Sequence, residues 1–97
     1  MSSEKPQIPN SLNEHWMPFT SNRDFKESPR LIVEAKGVYL KNHQGQTQID
    51  ASSGLFCNPL GHGREEIINA ITNQLKKLDY AQPFQQGFGG SFELATK

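Results

Sequence analysis

Three histidines, one cysteine and a scatter of carboxylates are the residues of this sequence with the most chemistry to offer. His15, His43 and His62, taken with Cys57, show none of the close ligand pairs that a zinc site requires. The histidines are therefore expected to be surface or hydrogen-bonded groups, with no metal ligand among them. Cys57 stands in a glycine-punctuated loop, Gly54-Leu55-Phe56-Cys57-Asn58-Pro59-Leu60-Gly61-His62-Gly63. A thiol nucleophile needs a histidine oriented by a third group. The spacing assigns neither, so Cys57 is expected to be a small buried thiol. Gly87, Gly89 and Gly90 fit neither a dinucleotide fingerprint nor a phosphate loop closed by Lys and Ser or Thr. They read as a flexible connection. Asp50, Glu65 and Glu66 are expected to be solvated or capping carboxylates. No catalytic residue follows from residue type and spacing.

The aromatics carry more information. Phe19, Phe56 and Phe84 lie far apart in sequence, each in a loop-like segment near a proline. Such side chains either fill a satellite core beneath a loop or wall an apolar pocket where elements meet. Composition and periodicity leave both readings open.

Residues 1–11 hold two prolines, three serines and two side-chain amides, and are expected to be a flexible arm. Pro18 disfavours helix at Met17, so a short helical turn at Leu12–Trp16 should give way to extended chain. Leu31–Ala35, Val38–Lys41 and Thr47–Asp50 read as strands separated by turns at Lys36-Gly37 and Asn42–Gly45, which together predict an antiparallel three-stranded meander. Ile68, Ile71, Leu75 and Leu78 recur at helical spacing, and Glu65, Glu66, Lys76 and Lys77 match the helix dipole at its two ends. A helix from Arg64 to Leu78 would be roughly 22 Å long, with Ile68, Ile71 and Leu75 expected to face the meander. Ser91 is the expected N-cap of a last helix running to Lys97, inside which the sequence stops; the chain is expected to be a piece of something longer.

Composition sets the outer bounds. Ninety-seven residues allow one small domain. Ten basic and ten acidic residues cancel, and the basic ones are scattered, which points away from nucleic acid and anionic membranes. The apolar content of 34% is low for a self-sufficient domain, and no apolar run approaches the ~20 residues of a membrane span. The first residues lack the apolar core of a signal peptide, and one cysteine makes no internal disulfide, so a cytoplasmic location is expected.

Beyond this point the order of residues is informative. Trp16-Met17-Pro18-Phe19-Thr20, Pro29-Arg30-Leu31, Gly37-Val38-Tyr39-Leu40, Ile49-Asp50, Gly54-Leu55-Phe56-Cys57, Gly61-His62-Gly63, Leu78-Asp79-Tyr80-Ala81 and Pro83-Phe84-Gln85 follow one another as in the N-terminal part of class III pyridoxal-phosphate aminotransferases. The sequence most resembles the ω-amino acid–pyruvate (β-alanine–pyruvate) group, over roughly Leu12 to the end. That resemblance implies an α+β fold, the N-terminal part of the small domain of a fold type I pyridoxal-phosphate transferase. Residues 12–90 would belong to that small domain and residues 91–97 would begin a helix leading into a large domain. It implies transfer of an amino group from an ω-amino acid or amine to pyruvate, with pyridoxal 5'-phosphate as cofactor and a homodimer or higher homo-oligomer as the assembly. Phe19, Leu55, Phe56 and Phe84 match positions that line the substrate pocket in the family, where Phe56 replaces a usual tryptophan. The family's phosphate-binding turn, pyridine-pairing aspartate, cofactor lysine and substrate arginine would all lie beyond Lys97, so no catalytic or cofactor-binding residue is carried over. Alternatives are a diaminopelargonate aminotransferase, against which Leu55 argues, a diamine aminotransferase, and a non-catalytic interaction module docking through an apolar face.

Overall fold

The computed structural model describes Ile8, Pro9 and residues 11–97. The expected arm of residues 1–11 lies for the most part outside the described residues. Two compact units divide the chain, one reaching Arg64 and the other spanning Glu65–Lys97.

The first unit contains α1 (Asn22–Glu27), β1 (Ile32–Lys36), β2 (Tyr39–Asn42), β3 (Thr47–Ile49) and a short turn of helix, α2 (Ser53–Phe56). The strands form the expected antiparallel meander in the order β1-β2-β3. Ala35 pairs with Leu40 and Tyr39 with Ile49, and an irregularity between Ile32 and Glu34 shifts the first ladder. Glu34 and Lys41 are cross-strand partners and form an ion pair of 3.7 Å. The β2–β3 turn is closed by Asn42, whose Oδ1 accepts from the amides of Gln44 (3.0 Å) and Gln46 (2.9 Å). An asparagine is suited to this because its short side chain reaches its own backbone two residues on.

Gly37, between β1 and β2, has φ +59° and meets a residue far along the chain. Its amide donates to the His62 carbonyl and the His62 amide donates to the Gly37 carbonyl, each at 2.8 Å. The close approach depends on Gly61. A Cβ there would stand 3.2 Å from the Gly37 carbonyl oxygen, and its φ of +87° suits only glycine.

The second unit contains α3 (Glu65–Lys77) and α4 (Gly89–Thr96). Glu65 and Glu66 occupy the first turn of α3 and Lys76 and Lys77 the last, as charge patterning predicts. Ile68, Ile71 and Leu75 are 45, 55 and 58% exposed, so the burial expected of this stripe is not made within the described residues. The last helix starts earlier than expected. Phe88 is its N-cap residue, without a side-chain cap bond, and Ser91 lies inside it, donating its amide to the Phe88 carbonyl (3.1 Å).

Two local expectations fail. Leu12–Trp16 forms no helical turn; the chain bends there, with Leu12 at φ +63°. The six residues of α1 were invisible to periodicity, because Phe25 is their only large apolar side chain. Among the described residues no apolar side chain is buried, and the one buried residue is polar, Asn22 at 6% exposure.

The Gly37–His62 bridge yields a test. Gly61→Ala should raise the exchange rate of the Gly37 amide by about 5- to 150-fold, the equivalent of roughly 1–3 kcal/mol of local strain. Hydrogen exchange followed by NMR measures it; an unchanged rate would show that Gly61 is not what permits the approach.

Candidate functional site

Three of the four positions singled out for the pocket share an unusual backbone. Phe19 has φ +50°, Leu55 φ +70° and Phe56 φ +63°, while Gln85, the neighbour of Phe84, has φ +62°. Non-glycine residues seldom take this left-handed conformation. All four candidate side chains are exposed.

A buried amide holds the first of them. Asn22 Oδ1 accepts from the Met17 amide (2.7 Å), and its Nδ2 donates to the Met17 carbonyl and the Thr20 carbonyl (both 3.0 Å). These bonds brace the Met17–Thr20 turn on both sides of Phe19. With Ser21, Asp24, Phe25 and Arg30 among its neighbours, Phe19 lines an open cavity of about 470 Å³. Neither Leu55 nor Phe56 is among the residues lining it.

Residues 53–56 form a left-handed turn. Ser53, Gly54, Leu55 and Phe56 have φ values of +50°, +60°, +70° and +63° in succession. The amide of Phe56 donates to the Ser52 carbonyl (2.8 Å), and those of Cys57 and Asn58 to the Ser53 carbonyl (3.0 and 2.8 Å). The conformation costs about 1–2 kcal/mol for each non-glycine residue, so roughly 3–6 for Ser53, Leu55 and Phe56 together. Three backbone hydrogen bonds return about 1.5–4.5 kcal/mol net. The backbone alone therefore leaves the turn near balance, and side chains must decide.

Asp50 supplies that decision. It sits at the end of β3, its own amide donating to the Val38 carbonyl (2.8 Å). Its Oδ1 accepts from the Gly54 amide (3.2 Å) and the Ser52 hydroxyl (3.3 Å). Oδ2 lies 2.8 Å from His62 Nε2, and His62 Nδ1 lies 2.8 Å from Asn58 Nδ2. An amide nitrogen only donates, so His62 Nδ1 accepts and the Nε2–H donates to Asp50. Both side chains are sheltered, at 7% exposure for Asp50 and 25% for His62. The two-way bridge to Gly37 fixes the backbone of His62, so the imidazole is anchored from its main chain as well as its ring.

Asp50 is thus a capping carboxylate, as expected, but not a solvated one. The bond from His62, then that from the Gly54 amide, favour its anion and hold its carboxyl below the usual aspartate value; burial opposes them, and the Ser52 hydroxyl adds a lesser push downward. Cys57 corrects an expectation. It is exposed, and its thiol donates to the Gly54 carbonyl (2.8 Å), because the left-handed turn carries it on the outside. Sequence reasoning missed the Asp50–His62–Asn58 link. The one signal was indirect, an aspartate four residues before the Gly54 amide with a histidine held between Gly61 and Gly63.

The described residues do not by themselves fit a pyridoxal-phosphate site. Such a site needs a lysine amine enclosed beside a phosphate cradle. Lys26 Nζ lies 5.9 Å from the Trp16 ring centre and 3.4 Å from the Asn13 carbonyl, Lys41 pairs with Glu34, and none of the described lysines is buried.

No protein-family model matches the chain. It is 45% identical over 94 residues to a β-alanine–pyruvate aminotransferase of Pseudomonas aeruginosa, covering 95% of this chain and 21% of that protein. It is 48% identical over 86 residues to an ω-amino acid–pyruvate aminotransferase of Pseudomonas putida, covering 89% and 19%. Among solved structures, the adenosylmethionine-8-amino-7-oxononanoate aminotransferase of Methanocaldococcus jannaschii superposes with a TM-score of 0.78 at 36% identity, covering 84% of this chain and 19% of that one. The ω-transaminase of Pseudomonas jessenii in complex with PMP gives 0.77 at 29% identity, covering 82% and 18%. The chain spans about a fifth of the length of these relatives.

The geometry of Asp50 sets a pH dependence. A carboxyl whose folded pKa is lowered contributes stability that is present above its unfolded value and is lost as pH falls through the folded one. In an acid titration followed by NMR, the step in the Gly54 amide resonance that reports protonation of Asp50 should be centred below the ordinary aspartate value of 3.8. Asp50→Asn should abolish that step. A step that Asp50→Asn removes but that is centred at or above 3.8 would show that the turn does not favour the Asp50 anion.

Proposed function

We propose that this chain, homologous to the ω-amino acid–pyruvate group of class III aminotransferases, acts as a segment of an enzyme that moves an amino group from an ω-amino acid or amine to pyruvate. Its role in that enzyme is to shape the substrate pocket. The observation that supports this is the exposed Leu55–Phe56 pair on a turn held by Asp50, in a chain 45–48% identical to aminotransferases of that name. An apolar side chain kept exposed on a strained backbone gains nothing for this chain alone, and strained conformations concentrate where ligands are handled.

Pyridoxal 5'-phosphate supplies the electron sink for amino transfer, and its binding groups belong to parts of the enzyme other than the residues described here. What this chain contributes is apolar contact: Phe56 and Leu55 from the left-handed turn, Phe19 from the Asn22-braced turn, and Phe84 from the loop after α3. In a cytoplasmic homodimer, Phe84 serves the neighbouring subunit's pocket. The diamine-type alternatives would use the same wall with a different donor.

Two measurements test the reading. The 97-residue chain alone should show no turnover of β-alanine and pyruvate with added pyridoxal phosphate; turnover would mean that this chain carries the chemistry itself. In the complete enzyme, Phe56→Trp should shift the ratio of kcat/KM for a bulky aryl amine over β-alanine by about 10- to 200-fold, as expected for one reshaped apolar contact of roughly 1–3 kcal/mol. An unchanged ratio in a stably folded variant would remove Phe56 from the pocket.

A further inference from the structure

We infer that Asp50, His62 and Asn58 are positioning residues for substrate selection, acting through the left-handed turn that presents Leu55 and Phe56. The inference rests on the pocket reading above and extends it to three polar residues that touch no proposed wall position directly. The bonds form a chain of command. Asn58 Nδ2 holds His62 Nδ1, His62 Nε2 holds Asp50 Oδ2, and Asp50 Oδ1 holds the Gly54 amide in the middle of the turn. Asn58 also closes the turn from its other end, through its amide bond to the Ser53 carbonyl. The turn is therefore gripped at its middle and at its exit by residues that are themselves bonded through one imidazole.

Each link has a distinct chemical requirement. Asp50 must accept on both oxygens at once, since Oδ1 takes two donors and Oδ2 a third. His62 must accept at Nδ1 and donate at Nε2, which only the neutral ring with its proton on Nε2 does. Removing the donor at Nε2 frees Asp50 to swing away from Gly54. The turn then loses the contact that decides its near balance, and Leu55 and Phe56 lose their fixed direction. A wall whose side chains are no longer aimed admits bulky and small donors with less discrimination.

The test uses the complete holoenzyme with β-alanine and a bulky aryl amine as donors. His62→Leu removes both ring bonds and should move the ratio of kcat/KM between the two donors by about 10-fold, carried mainly by KM of the bulky donor. His62→Gln retains a donor that reaches Asp50 and should restore most of the wild-type ratio. Asn58→Ala, a milder change, should shift the ratio in the same direction by less, which keeps a result in hand if His62→Leu does not fold. Labelling of Cys57 by a thiol reagent should accelerate in His62→Leu and return towards wild type in His62→Gln, reporting release of the turn without reference to turnover. A wild-type enzyme with no transaminase activity overturns the functional reading and this inference with it. An active wild type whose donor ratio is the same in Asn58→Ala and in folded His62→Leu overturns this inference alone. A ratio that shifts equally in His62→Leu and His62→Gln also overturns it, because the donated proton would then be irrelevant.

Discussion

The hydrogen bond between His62 and Asp50 is the contact on which the first unit of this chain depends. It joins the end of the meander to the loop that precedes α3, two stretches separated by twelve residues, and it does so between polar groups sheltered from water. Sheltering matters because a charge-assisted hydrogen bond is worth more where water competes less for either partner. Everything near it is arranged to hold one end or the other. The Val38 carbonyl fixes the backbone of Asp50, Gly37 fixes that of His62, and Gly61 lets the two strands of chain approach.

A second feature follows from what the chain does not bury. In an ordinary small domain, apolar burial offsets the entropy of ordering the backbone. Here the described residues bury no apolar side chain, and local order comes from polar side chains that brace tight turns: Asn22 around Phe19, Asn42 between β2 and β3, and Asp50 around Leu55 and Phe56. The apolar stripe of α3, in the second unit, is likewise left half-exposed. Such a distribution is what a segment shows when its apolar surface is completed by other parts of a larger protein.

The regular elements were legible in the sequence, and the reasons are physical. β-branched residues between glycine turns announce strands, and Ile68, Ile71 and Leu75 announce a helix face, because both signals live in near neighbours along the chain. The order of residues also led to the aminotransferase family, which identity of 40–48% to curated relatives supports. The site was less legible. No local rule predicts four successive residues at positive φ, since three of them carry a steric cost that local hydrogen bonds bring only near balance. Asp50 read no further than a solvated or capping carboxylate because its partner His62 is distant in sequence, and Cys57 looked buried because loop handedness is invisible to composition. Ser91 looked like a cap because its type is right, yet Gly89 and Gly90 let the helix begin before it.

The handedness of residues 53–56 also limits what evolution can try at the proposed wall. Valine, isoleucine and threonine carry two heavy atoms on Cβ, and the left-handed region is the one they tolerate least. Positions 55 and 56 are therefore open to leucine, methionine, phenylalanine, tyrosine or tryptophan but closed, while the turn persists, to the branched residues that would narrow the space at its mouth. Under the pocket role proposed for these two sites, adaptation to a new donor must proceed by changing length and aromatic area, and a lineage that needs a short branched wall has to rebuild the turn first.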